Sequence, residues 1–495
     1  PVLPDPRVSV VYGSGLPDLR LVADVALLVP GEDRGTASAD KYCSGCPPQC
    51  AFDGFFAWPA SGATPYGDGR WNGGDRKPHW VARDLGKDYS VEEIWIWHGG
   101  PNGSQLRTDD VYLAADGAAF PQAPDVSLSR TCAVAYTFED VTFVHRFPEP
   151  VQARHVKVVS DQGSDTSGDW TELREVAVMA PLPADSLSHA PSWALPEGSG
   201  LSGAPVVLVA PASWSGHNPP GWSDPEARWV WTLAGANCDA PFGTTRFRVL
   251  VDLPARTAAA ISVAADDKAS VWVDGRELWS WNRAGYWAAA PVILPPGRHV
   301  LAFECESSGN VAGSCASPAG LLVSVRDLAG TVLARSGGPG WQAENVCPDW
   351  AQPGNPAPGA PVKLLAQCGT DPDPAAWKVW VEPGTLSGAP AGEVGFRAEF
   401  DVVETMDGTL YVAADDRVTV WLDGVCVGHS HGGIFAALPV QLRPGRHVLA
   451  LHAANAVVGS NNPGWVAATL KDASGRVVLR TGDPCWSSAG YLMLY

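Results

Sequence analysis

One stretch, Ala264-Ala265-Asp266-Asp267-Lys268-Ala269-Ser270-Val271-Trp272-Val273-Asp274-Gly275, returns later as Ala413-Ala414-Asp415-Asp416-Arg417-Val418-Thr419-Val420-Trp421-Leu422-Asp423-Gly424. Its flanks return in the same order: Arg246-Phe247-Arg248 answers to Gly395-Phe396-Arg397, and Pro296-Gly297-Arg298-His299-Val300 to Pro444-Gly445-Arg446-His447-Val448. The chain after residue 180 is therefore a tandem duplication, and a fold that serves one copy must serve both. Ser270 and Trp272 alternate with Val271 and Val273, the period of a strand with two unlike faces. The Asp-Gly that follows is the signal of a two-residue hairpin turn. Each copy reads as a β-sandwich.

The 495 residues exceed one hydrophobic core and suit three domains of ordinary size. Gly 53, Pro 44 and 22 Trp against 3 Met fit many short strands joined by turns, and no long helical period competes. The formal charge of −19 repels phosphate backbones, which excludes nucleic acid as a partner. The longest apolar run near the start, Leu21 to Pro30, is interrupted by Asp24. It falls short of the roughly 20 residues a spanning helix needs, so no membrane span is expected. Beginning on Pro without a charged-then-apolar leader, the sequence reads as a mature product whose targeting segment is gone. Eleven Cys placed in loops favour an oxidising compartment, hence a secreted or cell-surface location. Cys305 and Cys315 bracket a Gly/Ser loop and are the expected disulfide, with Cys347 and Cys368 as a further pair around a Pro-rich segment. Cys43, Cys46, Cys50 and Cys132 could make two bridges; the first three also have zinc-like spacing, but no His stands beside them.

Residues 1–20 read as an N-terminal arm in which Val8 to Tyr12 alternate as a strand. From 21 to 180 short strand-like pieces each end on a turn signal. They include Ala51-Phe52-Asp53-Gly54, Arg70-Trp71-Asn72, His79 to Lys87, Val91 to Trp97, Asp110 to Gly117, Ala153 to Val159 and Trp170 to Val178. Together they resemble the coagulation factor 5/8 type C family, also called discoidin or family 32 carbohydrate-binding modules, an eight-stranded jelly roll. An enlarged loop, Phe55 through Gly69, departs from that pattern. The resemblance implies a structural Ca²⁺ held between the loop of Asp53 and Glu175 of the last strand. The copies, at 181–347 and 364–495 around a Pro-rich linker at 348–363, resemble galactose-binding-like jelly rolls. Asp-Asp before Val-Trp-x-Asp-Gly also resembles the PA14 module, where such a pair holds Ca²⁺. Because both copies keep Asp266-Asp267 and Asp415-Asp416 between divergent loops, a shared structural role is the favoured reading. The expected fold class is all-β, with three β-sandwich (jelly-roll, galactose-binding-like) domains in tandem.

Sugar sites pair an aromatic platform with short polar or charged groups. Three loops of the first domain carry that combination, at Trp58, Tyr66 and Arg70, at His98 and Arg107, and at Trp170. In the second domain the loop Trp279 to Trp287 holds Trp281, Arg283 and Trp287 where the third has Gly428-His429-Ser430-His431. A loop so free to change is expected at the surface, buried at an interface or serving as a glycan platform, and core packing is the alternative for every aromatic. His429 and His431 are read as loop residues, solvated or metal-binding. Membrane insertion by Phe55, Phe56 and Trp58 lacks basic neighbours. Asn102-Gly103-Ser104 is the glycosylation sequon.

No Gly-x-Ser-x-Gly, His-Glu-x-x-His or P-loop occurs, so no catalytic residue is assigned and no enzyme is expected. The favoured function is extracellular recognition, binding glycans or glycoproteins in adhesion. Two alternatives stand beside it: a structural subunit of an extracellular filament, sheath or wall that pairs with copies of itself, and the ancillary modules of a secreted glycosidase.

Overall fold

The computed structural model describes residues 20–27, 37–42, 48–53, 71–72, 78–98, 105–132, 141–163, 172–182 and 191–195 and, with short gaps, 207–307, 319–381 and 385–492. The protein is all-β: every strand pairing described is antiparallel, and the described residues hold short 3-10 turns but no α-helix. None of these residues forms a helix long and apolar enough to cross a membrane. The arm at Val8 to Tyr12 lies outside the described residues.

Chain contacts divide the protein into two compact units, one of Pro1–Trp231, Arg246–Cys305 and Gly320–Ala343, the other of Thr232–Thr245, Glu306–Ala319 and Glu344–Tyr495. In the first unit one sheet runs in the order Val126–Cys132, Gln105–Ala114, Phe143–Gly163, His79–His98, Glu172–Pro181, Val22–Asp24, Trp287–Leu294, Thr257–Asp266, Gly320–Asp327, Val230–Trp231, Val207–Leu208. The strands before Val22–Asp24 in this order come from the first region of the chain and those after it from the first repeat. Val22 pairs with Pro181 on one side and Ile293 on the other, so three residues splice two sandwiches into one sheet. Arg256 of the repeat, whose Nη1 lies 3.5 Å from Glu93 Oε1, adds an ion pair at the junction.

The second unit shows the repeat as a complete sandwich. One sheet orders Val425–His431, Arg417–Leu422, Gly445–Asn455, Gly392–Val402 and Trp486–Leu492; the other orders Ala436–Leu442, Met406–Asp415, Trp465–Asp472 and Trp377–Trp380. Trp380, Phe396, Leu410, Val420, Leu451 and Leu470 fill the space between them. The first repeat has both strand orders. Arg276–Trp281, Lys268–Val273, Gly297–Ser307, Gly243–Leu253 and Gln342–Asn345 form one sheet, and Trp287–Leu294 onward forms the other. The repeat in sequence is thus a repeat in topology.

The hairpins follow their sequence signal. Asp274 and Asp423 adopt φ of 49° and 52°, and Gly275 and Gly424 78° and 82°, the left-handed pair that a two-residue turn matched to strand twist requires. Each Asp also anchors the neighbouring strand. Asp423 Oδ1 accepts from Val448 N at 2.8 Å and Oδ2 from His447 Nδ1 at 2.6 Å, while His447 Nε2 faces the Arg443 carbonyl at 2.7 Å. Asp274 makes the same contacts with Val300 and His299, whose Nε2 faces Pro295 O. Both ring nitrogens point at acceptors, so the doubly protonated imidazole fits best. Asp423→Ala removes both acceptors, whereas Asp423→Asn keeps one. The alanine variant is therefore expected to lose about 1–2 kcal/mol more than the asparagine one in urea unfolding.

The Pro-rich linker expected at 348–363 opens on Pro348-Asp349-Trp350-Ala351, which answers to Pro191-Ser192-Trp193-Ala194 near the start of the first copy. Ala194 N donates to Pro191 O at 2.9 Å and Ala351 N to Pro348 O at 2.8 Å. These turns cap the sheet face away from the core. Trp193 and Ala194 pack on Val300, Ala302 and Trp272 in the first copy, and Ala351 packs on Trp421 and Ala450 in the second.

Candidate functional site

The inner face of the first region's strands changes character along its length. On Gln105–Ala114 the buried positions are Val111 and Leu113, then Asp109 and Arg107 toward the strand's start. On Phe143–Gly163 they are Val156 and Val158, then Ser160, which stands opposite Asp109. At the same end His98 closes its strand opposite Leu173, beside Arg174 and Glu175. His98, Arg107, Asp109, Arg174 and Glu175 are all 0% exposed. His98 Nε2 lies 3.0 Å from Asp109 Oδ2, and the His98 ring meets Phe143 edge-on at 5.7 Å.

Burying five ionisable groups costs far more than burying Val and Leu unless each finds a partner, and apolar replacements of equal volume are often as stable. Asp24, His79, Arg83, Glu92 and Glu93 of the same sheet are also buried, so complete burial is what sets these five apart. The chain segments that join the strands there, 99–104, 133–140 and 164–171, lie outside the described residues.

Sequence reasoning placed His98 and Arg107 among the ligand contacts. The structure brings them together but buries both, so they form a polar floor rather than a solvent-facing contact. Asp109 and Arg174 were missed, although the alternation Arg107, Asp109, Val111, Leu113 already places Asp109 on the face of Arg107. Trp58, Tyr66, Arg70, Asn102, Trp170, Arg283 and Cys315 lie outside the described residues. Trp281 ends the strand Arg276–Trp281 opposite Ala269.

Trp287 corrects the expectation of an exposed loop. It begins the strand Trp287–Leu294 opposite Ala264, is 1% exposed, and meets Trp222 edge-on at 5.8 Å. Cys305 is a free thiol buried in the core, so the expected bridge to Cys315 is not formed; burial holds that thiol well above the ordinary range. His429 and His431 lie within the strand Val425–His431, opposite Thr419 and Arg417, not in a loop.

In both copies the bond joining the paired aspartates is cis. Asp266 and Asp416 are buried, and burial together with the Asp416 carboxylate raises the pKa of Asp415. Of the carboxylates expected to hold Ca²⁺, Glu175 is buried and Asp53 half-buried just past the 3-10 turn Pro48–Ala51, which packs against the strand of Glu175. Among the described residues no three His, Cys, Asp or Glu side chains cluster as a metal site.

These features define an antiparallel all-β chain with a buried polar end on its first sandwich. No protein-family model matches it, and no curated protein is significantly similar in sequence. Among solved structures it is similar to a lectin from Pleurotus ostreatus in complex with GalNAc, at 20% identity over 58% of this chain and 87% of the lectin, with a TM-score of 0.21. It is also similar to the family 32 carbohydrate-binding module from C. perfringens NanJ in complex with galactose, at 17% identity over 32% of this chain and 98% of that one, TM-score 0.21. The lectin domain of lectinolysin complexed with Lewis B antigen aligns at 18% identity over 32% of this chain and 97% of its own, TM-score 0.23. These TM-scores are too low to establish a shared fold.

Proposed function

We propose that the protein is a non-catalytic glycan-recognition protein of the cell exterior. Its binding end is the polar end of the first, discoidin-like sandwich, and its two later jelly rolls, galactose-binding-like with PA14-like motifs, serve as scaffold. The observation that carries this reading is the set His98, Arg107, Asp109, Arg174 and Glu175, all 0% exposed, with His98 Nε2 3.0 Å from Asp109 Oδ2. Buried ionisable groups hold their neighbours in one arrangement, and recognition of a hydroxyl-rich ligand requires such preorganisation. The long loop with Trp58, Tyr66 and Arg70 supplies aromatic and cationic groups for the sugar face. Asp53 and Glu175 are the proposed carboxylate ligands of a structural Ca²⁺, with further oxygens to come from backbone carbonyls.

The test is glycan-array screening of the full chain followed by calorimetric titration of the best ligand against the wild type and Arg107→Met, which keeps side-chain length and removes the charge. Loss of at least tenfold in affinity, with the circular dichroism spectrum retained, is expected. Absence of any glycan ligand, or unchanged affinity alongside lowered stability, would make the cluster purely structural. Repeating the melts with Ca²⁺ and with chelator examines the ion separately: a melting temperature indifferent to both counts against it.

A further inference from the structure

In the third sandwich Cys426 stands across the hairpin from Trp421, and Ala450 pairs with Trp421 on its other side. The three side chains therefore form one row on the face away from the core. Cys347 and Ala351 of the capping segment pack on that row. The cap is tied down around it. The Gln352 amide donates to Cys347 O at 3.3 Å, and a Cβ at Gly424 of the hairpin turn would stand 2.8 Å from Gln352 Oε1. The Asn345 side chain is hydrogen-bonded to the Cys426 sulfur. The structure holds both cysteines as thiols, with Cys347 S–H directed at Pro348 O and Cys426 S–H at Gly428 O.

The internal repeat supplies an independent observation. The position before the Pro of the capping turn is Cys347 in the third sandwich and Ala190 in the second. The position across from the repeated Trp is Cys426 in one and Glu277 in the other, at the same bulged register. Both cysteines are present in one copy and both are absent from the other. That pattern is expected of residues kept for each other, because Ala190 shows that the cap has no need of a sulfur.

We propose that Cys347 and Cys426 are a disulfide-forming pair that locks the Pro-x-Trp-Ala cap onto the repeated hairpin of the third sandwich. The oxidant is a small-molecule disulfide such as oxidised glutathione. One cysteine, as thiolate, attacks a glutathione sulfur and releases one glutathione thiolate. The second cysteine then displaces the other, so the protein loses two hydrogens and two molecules of glutathione form. Burial pushes the Cys426 thiol up to about 11, which makes exchange in the folded chain slow at neutral pH and favours bridge formation while the chain folds.

The experiment refolds the full chain in mixed reduced and oxidised glutathione, blocks remaining thiols with iodoacetamide, and maps non-reduced peptides by mass. A peptide joining Cys347 to Cys426 is expected, with a melting temperature about 10 °C above that of the reduced chain. The double variant Cys347→Ala with Cys426→Glu restores the residues of the other copy, so it is expected to fold and to melt alike in both buffers. Cys347 joined to Cys368 or any other cysteine, or both thiols blocked while other cysteines oxidise, overturns the proposal. So does a redox-dependent melting temperature that survives in the double variant.

Discussion

Carrying the protein from pH 4 to pH 9 is expected to lower its unfolding free energy by about 4 kcal/mol through Asp24 alone, and Asp24→Asn is expected to abolish that loss. Asp24 ends the three-residue strand that splices the first two sandwiches and is only 2% exposed. Burial raises its pKa from 3.8 to about 7, against the opposing effect of the backbone N–H groups of Val178 and Ala26 and the charge of Arg83. The folded chain therefore holds this proton more tightly than the unfolded chain. The stability it contributes is complete below about pH 4 and is lost as pH rises through 7. His299 and His447 act in the same direction. Burial lowers their pKa values, but Asp274 with Pro295 O, and Asp423 with Arg443 O, outweigh it and raise both above 6.5. Their contribution is present below pH 6.5 and disappears above it. An asparagine at position 24 keeps the Oδ1 acceptor for Ala26 N and Val178 N, at 3.0 and 2.9 Å, without a proton to lose. Urea unfolding at a series of pH values distinguishes the cases: parallel curves for wild type and Asp24→Asn between pH 5 and 8 would remove Asp24 from the account.

The second large effect concerns an aromatic that changes strands between the copies. In the second sandwich Trp229 fills the space over Gly320, where a Cβ would stand 2.6 Å from the indole Cε3. In the third, the position of Trp229 is Lys378 and that of Gly320 is Trp465, with the Lys378 ammonium 3.9 Å from the indole centroid. The registers agree, Val230 opposite Leu321 and Val379 opposite Val466. Each copy thus places one indole at this spot, supplied by either of two neighbouring strands. Gly320→Trp alone forces two indoles into one space and is expected to cost about 4 kcal/mol or more. Trp229→Lys alone leaves a cavity and a desolvated ammonium, at about 3–5 kcal/mol. Together they recreate the third sandwich's arrangement, and the pair is expected to recover about 3 kcal/mol relative to the sum of the single losses. Strict additivity in thermal or urea unfolding would show that the two positions do not share the space.

Much of this architecture was legible because duplication reads itself: Val-Trp-x-Asp-Gly twice marks a strand and the tight turn after it, and the structure repeats both at Asp274 and Asp423. The aromatic exchange was not legible, since Trp229 and Gly320 meet only once the strands are neighbours. The capping turns hid behind their composition. Proline-rich text reads as linker, yet Pro191 and Pro348 open one-turn caps whose alanines pack on a sheet. Trp287 misled for a related reason: it follows Asn-Arg-Ala-Gly-Tyr, whose turn-like residues mask the start of a strand buried along its whole length. In the first domain His98 and Arg107 were found by residue type. Their burial depends on which side of the sheet they face, and that was readable only from the period-two pattern with Asp109.

The three-residue strand Val22–Asp24 also bears on portability. In the third sandwich the outer strand Ala436–Leu442 alternates between sheltered and open positions, as befits a boundary that water wets. Its counterpart Trp287–Leu294 is buried at every position, with Val22 and Ala23 paired alongside Ile293 and Val292 and Trp222 against Trp287. The two copies are cousins in topology but not interchangeable cassettes. Lifted out alone, the second would present a naked, wholly apolar rim to other chains, a template for aggregation. Gene fusions that borrow it should therefore carry the first sandwich with it, whereas the third already has the rim of a self-sufficient part.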